Sequence, residues 1–141
     1  MDNEPVIKLY AFTVDCPDPY ALARFYATLL KWEVPFHDDD WACAAPPGVA
    51  QGAYPGILFQ RNPAYAPPVW PEAPGAQQQM AHLDFAVRDL EAAVQYAVQC
   101  GAAEAETQFS DGWRVMLDPA GHPFCLCRME AVFESAGFAL R

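Results

Sequence analysis

The sequence predicts an α+β domain of two tandem βαβββ modules, which form a half-open, cup-shaped mixed β-barrel with the helices outside. Two observations predict this fold. A strand-like segment followed by an Asp-capped helix occurs twice, and the capping residues Asp18 and Asp89 are 71 residues apart in a chain of 141. Each helix is followed by further strand-like segments. Because neither half can cover both faces of its sheet, we expect a concave small-molecule site between the two sheets.

The first module spans about residues 6–61. Residues 8–14 are apolar, aromatic and β-branched, and they predict the first strand. Asp18 is a suitable N-cap for a helix over residues 19–30, and Pro19 is favourable at the first helical position. Three more strands are predicted at residues 32–36, 41–44 and 56–61.

The second module spans about residues 80–128 and repeats this order. Residues 81–87 alternate like a strand, Asp89 is again an N-cap, and Gly101 is a suitable residue for the end of the helix. Strands are predicted at residues 106–110, 113–117 and 124–128, with a turn over residues 118–122.

The segments outside the modules have a different composition. Residues 62–79 contain five prolines and predict a linker without regular structure. The tail, residues 129–141, predicts a short helix. Its apolar side chains Val132, Phe133 and Phe138 are expected to pack on the domain or on a partner chain.

Composition limits the classes of function. With 53% hydrophobic and 18% charged residues, the chain is globular, and no apolar run approaches the roughly 20 residues of a membrane span. Its first residues lack the features of a signal peptide, and the odd number of cysteines, five, argues against a disulfide framework, so we expect a cytoplasmic protein. The net charge of −10 would repel nucleic acid and attract a cationic ligand.

Three stretches carry a resemblance to a known family: residues 11–18 with the helix end at 24–32, residues 82–90, and residues 113–124. Together they resemble the vicinal oxygen chelate superfamily, which includes glyoxalases, bleomycin-resistance proteins and dioxygenases. The run at residues 58–61, followed by a linker and His82, is most similar to the glyoxalase-like branch. Lys31 departs from the family pattern, since members often have Gly after the first helix.

The resemblance implies four metal-ligand positions, at Ala11, Gln60, His82 and Cys125. Ala11 has no donor atom and Gln60 is a weak ligand, whereas His82 is a good one. The soft sulfur of Cys125 suits Zn²⁺ or Fe²⁺ better than Mg²⁺ or Mn²⁺. We therefore expect either a divalent metal (Zn, Fe, Mn or Ni), with His82, Cys125 and Gln60 as ligands, or no metal.

Strand alternation supplies two further polar side chains. Asp84 lies two residues after His82, and Cys127 two after Cys125, so each pair shares a sheet face. If the first and last strands of this half pair, as the resemblance implies, the four side chains cluster. The alternative is structural: His82 hydrogen-bonds Asp84 or a backbone carbonyl, and the cysteines are packing residues.

Three functions stay open, and with them the question whether the chain is an enzyme. The first is a binding or sequestering protein similar to bleomycin-resistance proteins; the second is a metal-dependent lyase, isomerase or dioxygenase; the third is a non-catalytic dimerising module. We expect a homodimer that binds a small molecule. The candidate catalytic residues are His82 and Asp84. The candidate ligand-binding residues are Thr13, Gln60, Trp113 and Cys127. Further aromatic residues that could line a cup are Trp32, Phe36, Trp41, Tyr54, Tyr65 and Trp70.

Overall fold

A computed structural model describes residues 4–50 and 53–134. The chain divides into two compact units, Met1–Tyr65 and Ala66–Arg141. Each unit combines a β-sheet with helices, which confirms the predicted α+β class. In chain order the elements are β1 (Ala11–Cys16), α1 (Pro19–Leu30), β2 (Trp41–Ala44), β3 (Gly56–Arg61), β4 (Leu83–Val87), α2 (Leu90–Cys100), β5 (Ala103–Glu104), β6 (Trp113–Leu117), β7 (Pro123–Arg128) and α3 (Glu130–Glu134).

The first unit contains a three-stranded sheet in the order β1-β3-β2. β1 and β3 are parallel, and β2 is antiparallel to β3. One face packs against α1, where Tyr26 stacks on Phe59 with 5.8 Å between the ring centroids. Because side chains alternate along a strand, the opposite face carries Ala11, Thr13 and Leu58. We call this the open face of the first sheet.

Helix α1 has the predicted bounds. Its N-cap, Asp18, accepts a hydrogen bond from the Ala21 amide at 3.2 Å, and Pro19 occupies the first turn. The helix ends at Lys31, which has φ 59° and ψ 42°. This left-handed backbone is costly for a residue with a Cβ atom, and it is the conformation that a Gly would adopt freely.

Two strands of the first unit differ from their predicted bounds. β1 begins at Ala11 instead of residue 8 and extends to Cys16, because its last residues pair with the end of β3. The predicted strand at 32–36 is replaced by two isolated bridges, Glu33 with Ala45 and His37 with Ala42. Pro35 lies between the bridges and has no amide hydrogen, so it cannot continue a ladder.

The second unit contains a four-stranded sheet in the order β4-β7-β6-β5, with β4 and β7 parallel. Met116, Phe124 and Leu126 are buried on the face that packs on α2. The alternate residues, including Asp84 and Cys125, therefore lie on the other face, which we call the open face of the second sheet.

The predicted strand at residues 106–110 is absent, and β5 lies upstream at Ala103–Glu104. The Gln108 side chain explains the difference. Its Nε2 donates to the carbonyls of Ala105 and Val115 at 2.9 Å each, and its Oε1 accepts from the Val115 amide at 2.8 Å. A side chain thus takes the hydrogen bonds that a neighbouring strand would have made.

The predicted turn at residues 118–122 is confirmed. The carboxylate of its first residue, Asp118, is buried. Asp118 accepts hydrogen bonds from the amides of Ala120 and His122, and one of its oxygens lies 2.8 Å from Nδ1 of His122. Gly121 has φ 91°, and a Cβ there would lie 2.9 Å from Cβ of Pro67. The turn therefore requires Gly both for its backbone and for the close approach of Pro67.

Residues 62–79 contain turns and bends but neither helix nor strand. Trp70 nevertheless packs against Ala105, Val115 and Cys125 on the open face of the second sheet. Its indole Nε1 is buried without a hydrogen-bond partner among the residues described. The predicted linker therefore contributes a large side chain to the second unit.

The predicted short helix in the tail is α3. The ring of Phe133 lies 4.9 Å from the guanidinium carbon of Arg88, and Val132 is half-buried. Phe138 lies outside the described residues. The longest helix in the described ranges, α1, has 12 residues, too few to cross a bilayer.

The left-handed backbone at Lys31 generates a stability prediction. Lys31→Gly should raise the free energy of unfolding by roughly 0.5–1 kcal/mol, because relief of the steric cost exceeds the entropy that Gly loses on folding. Urea denaturation measures this change. Lys8→Gly is the matched control, since Lys8 has an ordinary negative φ, and it should give no gain. Equal effects of the two substitutions would contradict this account of the helix end.

Candidate functional site

Three of the predicted site residues meet on the open face of the second sheet. His82 directly precedes β4, Asp84 lies within β4, and Cys125 is the partner of Asp84 on β7. One potential ligand atom from each lies within 4.8 Å of the others. Nε2 of His82 and Oδ1 of Asp84 are 3.2 Å apart. The parallel pairing of β4 and β7 thus forms a His/Asp/Cys cluster of three of the four side chains that were expected to converge. Cys127, which pairs with Ala86, is not a member of this cluster.

The members of this cluster differ in exposure. The side chains of His82 and Asp84 are 37% and 61% exposed, whereas Cys125 is only 9% exposed. Burial, followed by the charge of Asp84 and a hydrogen bond to it, raises the pKa of the Cys125 thiol to about 12. The pKa of Cys127 is also raised, by burial and by Asp84. Both sulfurs are therefore protonated near neutral pH, and a metal would have to displace a tightly held proton from Cys125.

Apolar contacts surround the sulfur atoms. Cys125 belongs to a small core with Ala105 and Val115, and Trp70 and Cys127 pack against it. Trp113 of β6 pairs with Cys127 of β7. Cys125 is thus shared between the His/Asp/Cys cluster and a hydrophobic core, the two roles that the sequence left open.

The corresponding positions of the first sheet follow from its register. The offset of 71 residues between the helix caps also relates Thr13 to Asp84, and Ala11 to His82. Thr13 pairs with Leu58 as Asp84 pairs with Cys125. Leu58 is therefore the structural counterpart of Cys125. Neither Ala11 nor Leu58 has a metal-binding side chain.

Gln60 lies one step further along the same face. It pairs with Asp15 on β1 and with Trp41 on β2. By register, the counterpart of Gln60 in the second sheet is Cys127. The role of Gln60 as a metal ligand stays a prediction. The four-ligand set implied by the resemblance thus fits poorly, since the first sheet supplies no donor at the two matching positions.

The first unit has a pocket of about 340 Å³ on its open face, at the end occupied by Ala11 and Leu58. Its wall includes three partly exposed aromatic rings, Tyr10, Phe36 and Tyr54. The remaining lining residues are Glu33, Pro35, Cys43, Ala45, Pro46, Gly48, Val49, Ala50 and Gly56. Among all these residues only Glu33 carries a full charge. The pocket is therefore an apolar, aromatic cavity with one carboxylate.

Local contacts fix the backbone of Glu33 and the ring of Tyr54 at the pocket wall. Glu33 and Ala45 exchange two backbone hydrogen bonds, of 2.8 and 3.0 Å, so the backbone of Glu33 is fixed at the pocket wall. Trp32 meets Tyr54 edge to face, with 6.1 Å between the ring centroids. At the inner side, burial raises the pKa of Cys43, which keeps this thiol neutral. The wall therefore has a preformed shape, which reduces the entropic cost of binding.

The structure divides the predicted site residues between the units. His82, Asp84, Cys125, Cys127 and Trp113 share the open face of the second sheet, whereas Thr13 and Gln60 lie on that of the first. Of the predicted aromatic residues, Phe36 and Tyr54 line the pocket. Sequence analysis did not single out Tyr10, Cys43 or Glu33. Glu33 is the only charged residue in the apolar segment 32–36, and this feature of the sequence could have marked it as a candidate site residue.

The raised pKa of Cys125 predicts a loss of stability in alkali. Below pH 9 the thiol is protonated in both the folded and the unfolded protein, so its full contribution to the free energy of unfolding is present. As the pH rises from about 9 towards about 12, the unfolded thiol ionises first, and the free energy of unfolding falls. Cys125→Ala should flatten this fall, measured as the urea midpoint at pH 8 and pH 10.5. The control is Val115→Ala, which truncates another side chain of the same core and removes no titratable group, so it should leave the slope unchanged. An unchanged slope in Cys125→Ala would show that the thiol is not held in its protonated form.

Comparisons with known proteins agree with this architecture. The chain is similar in structure to hypothetical protein SA1046 from S. aureus, with 16% identity over 89% of this chain and 100% of that one, at a TM-score of 0.58. It is also similar to a glyoxalase/bleomycin resistance protein/dioxygenase family enzyme from Burkholderia phytofirmans PsJN, with 17% identity over 86% and 98% of the chains and a TM-score of 0.62.

A third similar structure is TnmS3, an antibiotic binding protein from Streptomyces sp. CB03234, with 16% identity over 89% and 98% of the chains and a TM-score of 0.56. At such identities these structures support the fold alone. No curated protein matches the sequence significantly. The family described as "Glyoxalase-like domain" matches residues 11–127. The chain therefore belongs to the glyoxalase-like family, within the vicinal oxygen chelate superfamily.

Proposed function

We propose that this chain is a small-molecule-binding protein that holds its ligand on the open face of the first sheet, without a bridging metal. The observation that carries the proposal is the pocket at Ala11 and Leu58. These are the counterparts of His82 and Cys125, and here apolar side chains line a cavity where a metal-binding member would need donors.

The size and lining of the pocket support this role. Its volume, about 340 Å³, lies in the range of sites for small organic ligands. Tyr10, Phe36 and Tyr54 can be covered by a ligand, and each 100 Å² of apolar surface removed from water contributes about 2.5 kcal/mol before the costs of association. The similarity to an antibiotic binding protein supports capture as one use of this fold.

The remaining expectations belong to the same proposal. We propose a cytoplasmic homodimer without affinity for nucleic acid, in line with the net charge of −10. Thr13 and Gln60 share the open face of the first sheet with the pocket and are proposed ligand contacts. Trp113 and Cys127, on the open face of the second sheet, are proposed ligand contacts of that unit.

A metal-dependent lyase, isomerase or dioxygenase is the second candidate, and the His/Asp/Cys cluster favours it. His82, Asp84 and Cys125 would hold a Zn²⁺ or Fe²⁺ ion, with Gln60 as the further predicted ligand, and such an ion would polarise an oxygenated substrate. His82 and Asp84 are also the proposed acid–base pair, because 3.2 Å separates Nε2 from the carboxylate. The lack of a donor side chain at Ala11 and Leu58 weakens this candidate.

Filling the pocket should abolish binding. Ala11→Leu places a larger side chain into the cavity, so we expect at least a tenfold loss of affinity for any ligand that the wild type binds, measured by isothermal titration calorimetry. Ala92→Leu, on the exposed surface of α2, is the matched control and should bind normally. A chelator should change neither affinity. Normal binding by Ala11→Leu would exclude this pocket as the site.

Elemental analysis separates the two candidate functions. For protein purified without chelator or affinity tag, we expect no stoichiometric Zn, Fe, Mn or Ni in either wild type or His82→Ala. Reconstitution with Zn²⁺ should not change this, because Ala11 and Leu58 of the first sheet supply no donor to complete a metal site. Stoichiometric metal in the wild type that is lost in His82→Ala would establish His82 as a ligand and favour the enzyme.

A further inference from the structure

We infer that the pocket of the first unit recognises an organic cation, with an apolar or aromatic body and one ammonium group. This inference rests on the proposed function and specifies the class of its ligand. It depends on the combination of one carboxylate, Glu33, with three aromatic rings, Tyr10, Phe36 and Tyr54, around a single cavity.

Glu33 supplies the charge that the ligand must balance. Glu33 is exposed on the pocket wall, and its carboxylate forms no ion pair within residues 4–50 and 53–134, so it is accessible to a cationic ligand. Its backbone is fixed to Ala45 by two hydrogen bonds, so the side chain starts from a defined point on the wall. A ligand that covers Glu33 without neutralising it would bury an uncompensated charge, which selects against neutral and anionic ligands.

The aromatic rings suit the same group. An ammonium ion near the face of a Tyr or Phe ring is attracted by the ring's quadrupole. This attraction is stronger when water is excluded. Three rings and a carboxylate in one apolar cavity therefore favour an alkylated ammonium over a strongly hydrated metal cation. The net charge of −10 adds a long-range attraction for cations of any kind, so the test must separate it from the local effect.

The test uses a matched pair of probes, phenyltrimethylammonium and tert-butylbenzene, which have nearly the same shape and differ by one charge. Wild type should bind the cation by isothermal titration calorimetry or intrinsic fluorescence, and more tightly than the neutral probe. Glu33→Gln keeps the size of the side chain and the backbone bonds to Ala45. It should weaken binding of the cation about tenfold without weakening binding of the neutral probe.

Glu106→Gln is the control for net charge, because Glu106 is exposed and lies in the second unit. It should leave both affinities unchanged. An equal loss in Glu33→Gln and Glu106→Gln, or no loss in Glu33→Gln, would overturn the cation inference while the pocket remained a binding site. Failure of both probes to bind the wild type, or binding that survives Ala11→Leu, would overturn the proposed function itself.

Discussion

The parallel pairing of the first and last strands within each unit is the constraint on which the candidate sites depend. A helix that follows the first strand returns the chain so that a later strand runs alongside it, and β1–β3 and β4–β7 are the two pairs that result. The register of each pair then decides which side chains face each other. Asp84 meets Cys125 in one unit, and Thr13 meets Leu58 in the other. Among the described residues, His, Asp and Cys side chains therefore converge in the second sheet, whereas Ala11 and Leu58 supply no donor at the matching positions of the first.

This difference between equivalent positions explains why the two open faces have different properties. In the second sheet, His82, Asp84 and Cys125 converge, but Cys125 also belongs to a hydrophobic core under Trp70, and its pKa is raised accordingly. In the first sheet the absence of donors at Ala11 and Leu58 leaves an apolar surface, and the segment carrying Glu33 and the aromatic rings borders it. Within a glyoxalase-like fold, a unit that lacks metal-binding side chains can thus still offer a surface for a small organic molecule.

The helices could be predicted from sequence because their signals are local. Asp18, Pro19 and Asp89 mark helix starts within a few residues, and the internal repeat fixed their relation. The strands at 32–36 and 106–110 could not be predicted correctly, since Pro35 breaks one ladder and the Gln108 side chain replaces the other through bonds to Ala105 and Val115. The convergence of His82, Asp84 and Cys125 was predictable from strand alternation together with the resemblance. The pocket was not, because Glu33 and Tyr10 reach it through register and loop geometry that no periodicity encodes.

The central claim, that ligand is held in the metal-free pocket of the first unit, is tested most directly by NMR. Chemical-shift changes of ¹⁵N-labelled protein would be mapped on addition of phenyltrimethylammonium, with and without a chelator. The account predicts that the largest changes fall on amides that line the pocket, at residues 10, 11, 33, 36, 43, 45, 54, 56 and 58. It predicts the same pattern in the presence of chelator. Changes centred on His82, Asp84 and Cys125 that vanish with chelator would contradict it and place the functional site at the His/Asp/Cys cluster.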